Sequence, residues 1–453
     1  MTRIFVNRVR ELESLEETYK SLGFKLVVVY GRRRVGKTAL IKKFMENKVG
    51  IYFLCSQRGI QKDLTRFSDL IAGKFNLPRV RFESFIDAFK FLKQFDGLIV
   101  AIDEFPYLIE SDKTVVSEFQ IVVDEVLSNS NLMLILCGSS VGMIERDILS
   151  YKSPLYGRAK KIMKIKPFDI DGLVEWFGSD LEKIVKIYGT TNGIPKYMEF
   201  FEGRDIENEI IKNFFNADSF LYNEAYILLS EELRSPHTYS LILEAISLGN
   251  TRLSEISNYT GIESKDLPFY LSVLSNLGIV KREVPITEKK RSKKGIYLID
   301  DEYFRFWFRF VSPHKEEIES FEADRAIEDF RTNFNHYLGF TFEKLAKSFL
   351  IRLNAMDLLP FRFTKIGKWW YKQEEIDWIA LNDKEKKALF VEVKWGDLSL
   401  RNVKKILKDL EKKSELVDLK GYEYHYMLIA KRVKGKVDGL KILDLKDLEK
   451  LIH

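Results

Sequence analysis

Leu26-Val-Val-Val-Tyr30-Gly31-Arg32-Arg33-Arg34-Val35-Gly36-Lys37-Thr38 is the stretch whose reading decides the fold. An apolar run feeds a G-x-x-x-x-G-K-[ST] pattern, and a helical pattern leaves it near Thr38. In that context the spacing predicts a phosphate-binding loop. Its glycines let backbone N–H groups wrap phosphate oxygens, and the helix N-terminus adds positive potential. Gly31, Arg32, Arg33, Arg34, Val35, Gly36, Lys37 and Thr38 are the expected nucleotide contacts. Lys37 is expected on the β- and γ-phosphates and the Thr38 hydroxyl on Mg2+, with ATP as the nucleotide.

Outward from the loop, four more apolar runs follow: Ile51–Cys55, Leu98–Ile102, Leu132–Cys137 and Ile162–Ile165. Short runs separated by longer helical patterns predict a parallel sheet covered on both faces, an α/β fold of the P-loop NTPase kind. The run Leu98–Ile102 ends in Asp103 and Glu104. Phosphoryl transfer needs charge neutralisation and a positioned nucleophile, so Asp103 is expected near Mg2+ and Glu104 near the attacking water. Ser139 closes a third strand and is a candidate for contacting the γ-phosphate or that water. Arg158 follows a turn on the same face and is a candidate arginine finger, in cis or across a contact between copies of the chain. From about Ile170 to Leu233 amphipathic helices take over.

The segments Gly31–Thr38, Leu98–Glu104, Cys137–Ser140, Leu155–Arg158 and Asn192–Tyr197 together resemble the archaeal-type ATPase family, in the AAA+/STAND-like branch of P-loop proteins. The resemblance implies a five-stranded core with a helical lid, and it implies that Gly193–Pro195, Pro195 included, lies near the nucleotide. It extends over a helix-turn-helix portion, Phe220–Pro313. Members of the family often carry a C-terminal domain similar to PD-(D/E)xK nucleases.

The middle of the chain carries its own signal. Three helical patterns, Tyr239–Ser247, Arg252–Tyr259 and Lys265–Asn276, precede two extended runs, Ile279–Ile286 and Gly295–Ile299. That order predicts a winged helix-turn-helix. Ser264 is the expected N-cap of the recognition helix, which is poor in base-reading arginine. The wing carries Lys281, Arg282, Lys289, Lys290, Arg291, Lys293 and Lys294, and phosphate contacts by such groups make DNA the expected partner.

Near the C-terminus, Glu343 falls in a helical pattern, Phe340–Leu350, and Asp377 in the alternating strand Glu375–Leu381. Glu392 and Lys394 stand two apart on one face of the strand Ala388–Lys394. Asp377 and Glu392 are expected to bind Mg2+, Glu343 to complete the metal set and Lys394 to orient water, the combination that phosphodiester hydrolysis requires. The arrangement resembles the PD-(D/E)xK core, with Ile376 where that pattern has proline.

Composition narrows the class. Lys plus Arg exceed Asp plus Glu by only 73 − 67 = 6, so charge alone does not prove nucleic-acid binding. The longest apolar runs are far short of the roughly 20 residues of a membrane helix, and a cytoplasmic protein without a membrane role is expected. The two cysteines, Cys55 and Cys137, read as small hydrophobes at strand ends. We therefore expect an ATPase with lid over 1–235, a winged helix over 236–325 and a nuclease-like domain over 326–453. The expected function is ATP hydrolysis governing action on DNA. The alternative is a STAND-like signalling switch or a DNA-binding regulator with a silent C-terminal domain.

Overall fold

A computed structural model describes residues 5–78, 80–435 and 441–452. By contacts the chain divides into two compact units: 1–168 with 194–196, and 169–193 with 197–453.

In the first unit the five apolar runs form strands β1 (Lys25–Tyr30), β2 (Gly50–Leu54), β3 (Ile99–Asp103), β4 (Met133–Gly138) and β5 (Ala159–Lys164). All pair in parallel, in the order β2-β3-β4-β1-β5. Every residue of β1, β3 and β4 is buried, which is why these strands read as unbroken apolar runs rather than alternations. The pleat sends neighbours to opposite faces. Leu26, Val28 and Tyr30 enter one core with Phe53, Phe67, Phe89 and Phe119. Val27 and Val29 enter the other, with Leu40, Phe44 and Leu15. Both cores are continuous with helices, so the strand ends are held rigidly. Cys55 and Cys137 are free and buried, as small apolar side chains would be.

In the second unit, helices Ile170–Phe177, Leu181–Thr191, Ile206–Phe214 and Phe220–Glu232 occupy the region expected to be helical. Helices Pro236–Ser247, Leu253–Thr260 and Leu267–Asn276 then lead to an antiparallel hairpin, β6 (Val280–Glu283) and β7 (Ile296–Ile299). The third of these helices starts at Leu267, after Ser264, and its cap residue Asp266 makes no side-chain cap bond. Ser264 is therefore not its N-cap. Pro268 lacks an N–H and is tolerated only in a first turn, which sets the start. The aromatic run Tyr303–Phe310 is buried, with Phe306 and Phe310 against Phe330, Phe334 and Tyr337 of a 32-residue helix, Asp324–Ala355.

A mixed sheet follows: β8 (Lys365–Tyr371), β9 (Glu374–Asn382), β10 (Lys387–Ser399), β11 (Glu423–Lys434) and β12 (Lys441–Leu443), in the order β12-β11-β10-β9-β8. The helix Leu400–Ser414 packs on it through Val403, Leu407 and Leu410. The outer strands β8 and β12 were not anticipated from the sequence. Gly367 and the polar Lys365 and Lys368 break the alternation of β8, and β12 has three residues. Ile286, beyond β6, lies in the core of this sheet with Trp369, Ile376 and Phe390, and its N–H donates to the Lys368 carbonyl at 2.8 Å. The edge strand β8 is thus covered by the start of the segment that joins β6 to β7.

Candidate functional site

The loop after β1 owes its path to two glycines. Gly31 has φ 151° and sits against the Ile165 backbone, where a Cβ would collide with the Ile165 carbonyl. Gly36 has φ 93° and opens the helix Lys37–Met45. A Cβ on Gly36 would come within 4.0 Å of Pro195 Cγ, so Pro195 lies beside the loop, on the short return 194–196. Arg34 also has positive φ, 71°, and Val35 is buried.

Lys37 is 5% exposed, and its ammonium donates to the carbonyls of Gly31 (2.8 Å) and Arg32 (2.9 Å). Thr38 Oγ1 donates to Asp103 Oδ2 at 2.6 Å. Asp103 is buried at the end of β3, and its other oxygen accepts the Glu104 N–H at 3.0 Å. Glu104 adopts φ 55°, a conformation costly for a residue with a Cβ and often found at functional positions. One of its carboxylate oxygens accepts the Ser139 N–H at 3.1 Å, and the other accepts the Ser139 hydroxyl. The ends of β1, β3 and β4 thus bring Lys37, Thr38, Asp103, Glu104 and Ser139 together.

Arg158 stands apart from this group. Its guanidinium forms a two-point pair with Asp124, at 2.7 Å to each oxygen, and its third partner is the Tyr156 carbonyl. None of these belongs to the loop.

Two residues of the site were missed from the sequence. Tyr52 on β2 donates its hydroxyl to Asp103 Oδ2 at 2.6 Å. Burial, and then that hydrogen bond to a carboxylate, push its pKa far up, so it stays a donor. Only the pairing of β2 with β3 puts it there, Tyr52 facing Ala101. Arg8 is 7% exposed and donates to the carbonyls of Val35 (3.0 Å) and Lys166 (2.7 Å), tying the loop to the chain after β5. Its sequence signal was faint: an arginine at the cap of the helix Val9–Lys20, where a short polar residue is usual.

In the second unit, Asp377 on β9 accepts the Val393 N–H at 2.7 Å, and Lys394 is 4.0 Å from it. Lys394 is 2.7 Å from Glu392 Oε1, while the buried Oε2 of Glu392 has no hydrogen-bond partner among the described residues. Burial, and then the Glu343 charge, raise Asp377 to a pKa of about 6. Burial, and then Asp377, raise Glu392 as well. Burial alone would lower the Lys394 ammonium, but the Glu392 and Asp377 carboxylates outweigh it and its pKa rises. The structure joins Asp377, Glu392 and Lys394, and Glu343, whose charge acts on Asp377, is itself engaged by Lys368 at 2.5 Å. Among the described residues, no group of three or more His, Cys, Asp and Glu side chains is placed to hold a metal ion.

The basic hairpin is partly neutralised. Lys281 pairs with Glu283 and Asp300, Lys294 with Glu288, and Arg282 donates to the carbonyls of Lys290 and Ser292. Lys289, Lys290, Arg291 and Lys293 are exposed, and no ion pair is found for them among the described residues. No helix of the described residues is long and apolar enough to cross a membrane.

Residues 5–201 match a family described as an ATPase domain predominantly from Archaea. Residues 307–406 match one described as archaeal and bacterial proteins of unknown function. The uncharacterized protein MJECL04 of Methanocaldococcus jannaschii is 45% identical over 451 residues, 98% of this chain and 100% of that protein. The uncharacterized ATP-binding protein MJ0423 of the same organism is 60% identical over 45 residues, 10% of this chain and 76% of that one. Among solved structures, the Walker-type ATPase PABY2304 of Pyrococcus abyssi is 25% identical at a TM-score of 0.46, covering 67% of this chain and 96% of that one. The ORC2 protein of Aeropyrum pernix, in ADPNP and ADP complexes, is 14% identical at a TM-score of 0.41, covering 71% and 97%.

Proposed function

This chain belongs to the family of the M. jannaschii protein MJECL04 and carries an archaeal ATPase domain, and from that premise we propose that it binds ATP with magnesium and hydrolyses it to govern action on DNA. One observation carries the reading: Lys37, Thr38, Asp103, Glu104 and Ser139 converge where three parallel strands end. Thr38 and Asp103 present hard oxygen donors 2.6 Å apart, a pair suited to Mg2+, which when bound would neutralise phosphate charge. Lys37 exchanges its two loop carbonyls for phosphate oxygens. Glu104 orients the attacking water, and Ser139 sets where that carboxylate lies. Arg8 and Tyr52 are positioning residues, one for the loop and one for Asp103. Pro195 packs beside the loop. Arg158 can serve as a finger only by leaving Asp124.

Lys37→Ala tests the reading. Removing a charge-assisted contact to phosphate is expected to weaken ATP binding by at least about tenfold in calorimetry. An affinity equal to the parent's would overturn it.

For the rest of the chain we propose a winged helix over 236–325, whose wing binds DNA phosphates, and a nuclease-like domain over 326–453. The hairpin-tip cations, for which no ion pair is found among the described residues, support the first. Support for the second is the set of Asp377, Glu392 and Lys394, in which a buried carboxylate oxygen of Glu392 is met by no donor among the described residues. There, Asp377 and Glu392 would hold a divalent ion that polarises a phosphodiester, and Lys394 would hold water or phosphate charge. The engagement of Glu343 by Lys368 favours the second reading, a nucleotide-driven signalling switch with a silent C-terminal domain. Supercoiled plasmid with Mg2+ or Mn2+, with and without ATP, separates the two. Cleavage by the parent and none by Asp377→Ala is expected. No cleavage under any nucleotide condition, with ATP hydrolysis intact, would leave the switch.

A further inference from the structure

The turn between β8 and β9 stands next to the basic hairpin. Trp369 and Tyr371 lie on one face of β8, two residues apart. Trp369 is buried in the sheet core, but Tyr371 runs past the edge of that core and is 46% exposed. Its ring is not bare. Lys372, in the left-handed turn at φ 57°, puts its ammonium 5.4 Å from the ring centroid, and Lys294 of the hairpin tip puts its own at 6.0 Å.

Backbone and side-chain hydrogen bonds set the placement. Ile286, at the start of the β6–β7 connection, anchors it to Lys368, three residues before Tyr371. Arg282 holds the tip in shape through the Lys290 and Ser292 carbonyls. The ring and the cationic tip therefore stand side by side, with Lys294 of the tip 6.0 Å from the ring.

Charge is divided between the two elements. The hairpin tip offers cations that have no ion pair among the described residues, its one carboxylate, Glu288, being taken by Lys294. Beyond the turn, the first residues of β9 are the exposed Glu374 and Glu375, with Glu374 opposite Tyr371 across the ladder. Phosphates are attracted to the first and repelled from the second, whereas a neutral base is indifferent to those carboxylates and gains from an aromatic face. We infer that Tyr371 is a stacking platform for an unpaired base of a single-stranded nucleic acid whose phosphates lie on the Lys289–Lys293 tip. Duplex DNA offers phosphates to the tip but no free base face to the ring. This inference rests on the reading of the hairpin as a nucleic-acid contact and specifies which nucleic acid it takes.

Fluorescence anisotropy on the full chain tests it, with a labelled single-stranded DNA of about 16 nucleotides, the same sequence as RNA, and as a blunt duplex. Tyr371→Leu keeps apolar bulk and removes the π face. It is expected to weaken single-strand binding about tenfold, leave duplex binding unchanged, and melt like the parent. Tyr371→Phe is expected to bind as the parent does. Equal loss on the DNA and RNA single strands would identify the shared base-and-phosphate chemistry; loss on one alone would identify which sugar the site accepts. Unchanged single-strand binding by Tyr371→Leu overturns the platform, provided that changing Lys289, Lys290, Arg291 and Lys293 together to Gln abolishes binding of both forms. If that fourfold variant binds both as the parent does, the nucleic-acid reading of the hairpin falls as well.

Discussion

Glu104→Gln is expected to bind ATP as the parent does and to lose about a hundredfold or more of its turnover, measured as phosphate release at saturating nucleotide. The substitution leaves Lys37, Thr38 and Asp103 with their partners, and these are the groups proposed to meet the phosphates and the ion. Glutamine keeps one oxygen to accept from Ser139, whose N–H and hydroxyl both point at the present carboxylate. What it loses is the charge that draws and orients a water. The backbone supports this assignment. Position 104 adopts φ 55°, for which an ordinary side chain costs about 1–3 kcal/mol, and the Asp103 carboxylate accepting its N–H helps to hold it there. Turnover at the parent's rate would mean that water is oriented by another group, and the roles given to the end of β3 would have to be reassigned.

The second large effect concerns stability. Asp377→Asn is expected to make the protein more stable at pH 8, by up to about 3 kcal/mol, and to leave it unchanged near pH 4. Burial and the Glu343 charge raise the Asp377 carboxyl to about 6, while in the unfolded chain it titrates near its ordinary value of about 3.9. The folded state therefore holds a proton that the unfolded state has already lost. Stability from this group is fully present below about pH 4 and is lost as pH rises through about 6. Asparagine cannot ionise and can still accept the Val393 N–H, so it escapes that loss. Thermal or denaturant unfolding of the two proteins across pH 4–8 reads the difference. A variant less stable than the parent at pH 8 would show that Lys394 and Lys368 stabilise the charged carboxylate more than burial penalises it. A carboxylate kept at such a cost is what a cation-binding or catalytic role would require.

How much of this was legible beforehand follows from which interactions are local. The phosphate loop was, because G-x-x-x-x-G-K-[ST] between a strand and a helix encodes its own backbone path, and Gly31 and Gly36 take up that path through positive φ. The strands of the first sheet were, since burial on both faces writes itself as an apolar run. Strand β8 was not, because an edge strand with Gly367 and lysines lacks either pattern. Ser264 misled because a good capping residue is only a preference, whereas Pro268 imposes a steric requirement. Arg158 read as a candidate arginine finger, and its pairing with Asp124 was not legible because that carboxylate lies 34 positions away along the chain.

By itself, then, the sequence determined the parallel sheet, the loop and the chemical types available at the strand ends, since periodicity and backbone geometry act over a few residues. Tertiary structure alone decided that Tyr52 shares Asp103 with Thr38, that Glu104 lies against Ser139, that Glu343 is paired with Lys368, and that Ile286 joins the core of the second sheet. Each of these depends on strand register or on a contact between distant segments. Register is fixed by the whole core at once, so no short window of residues can report it.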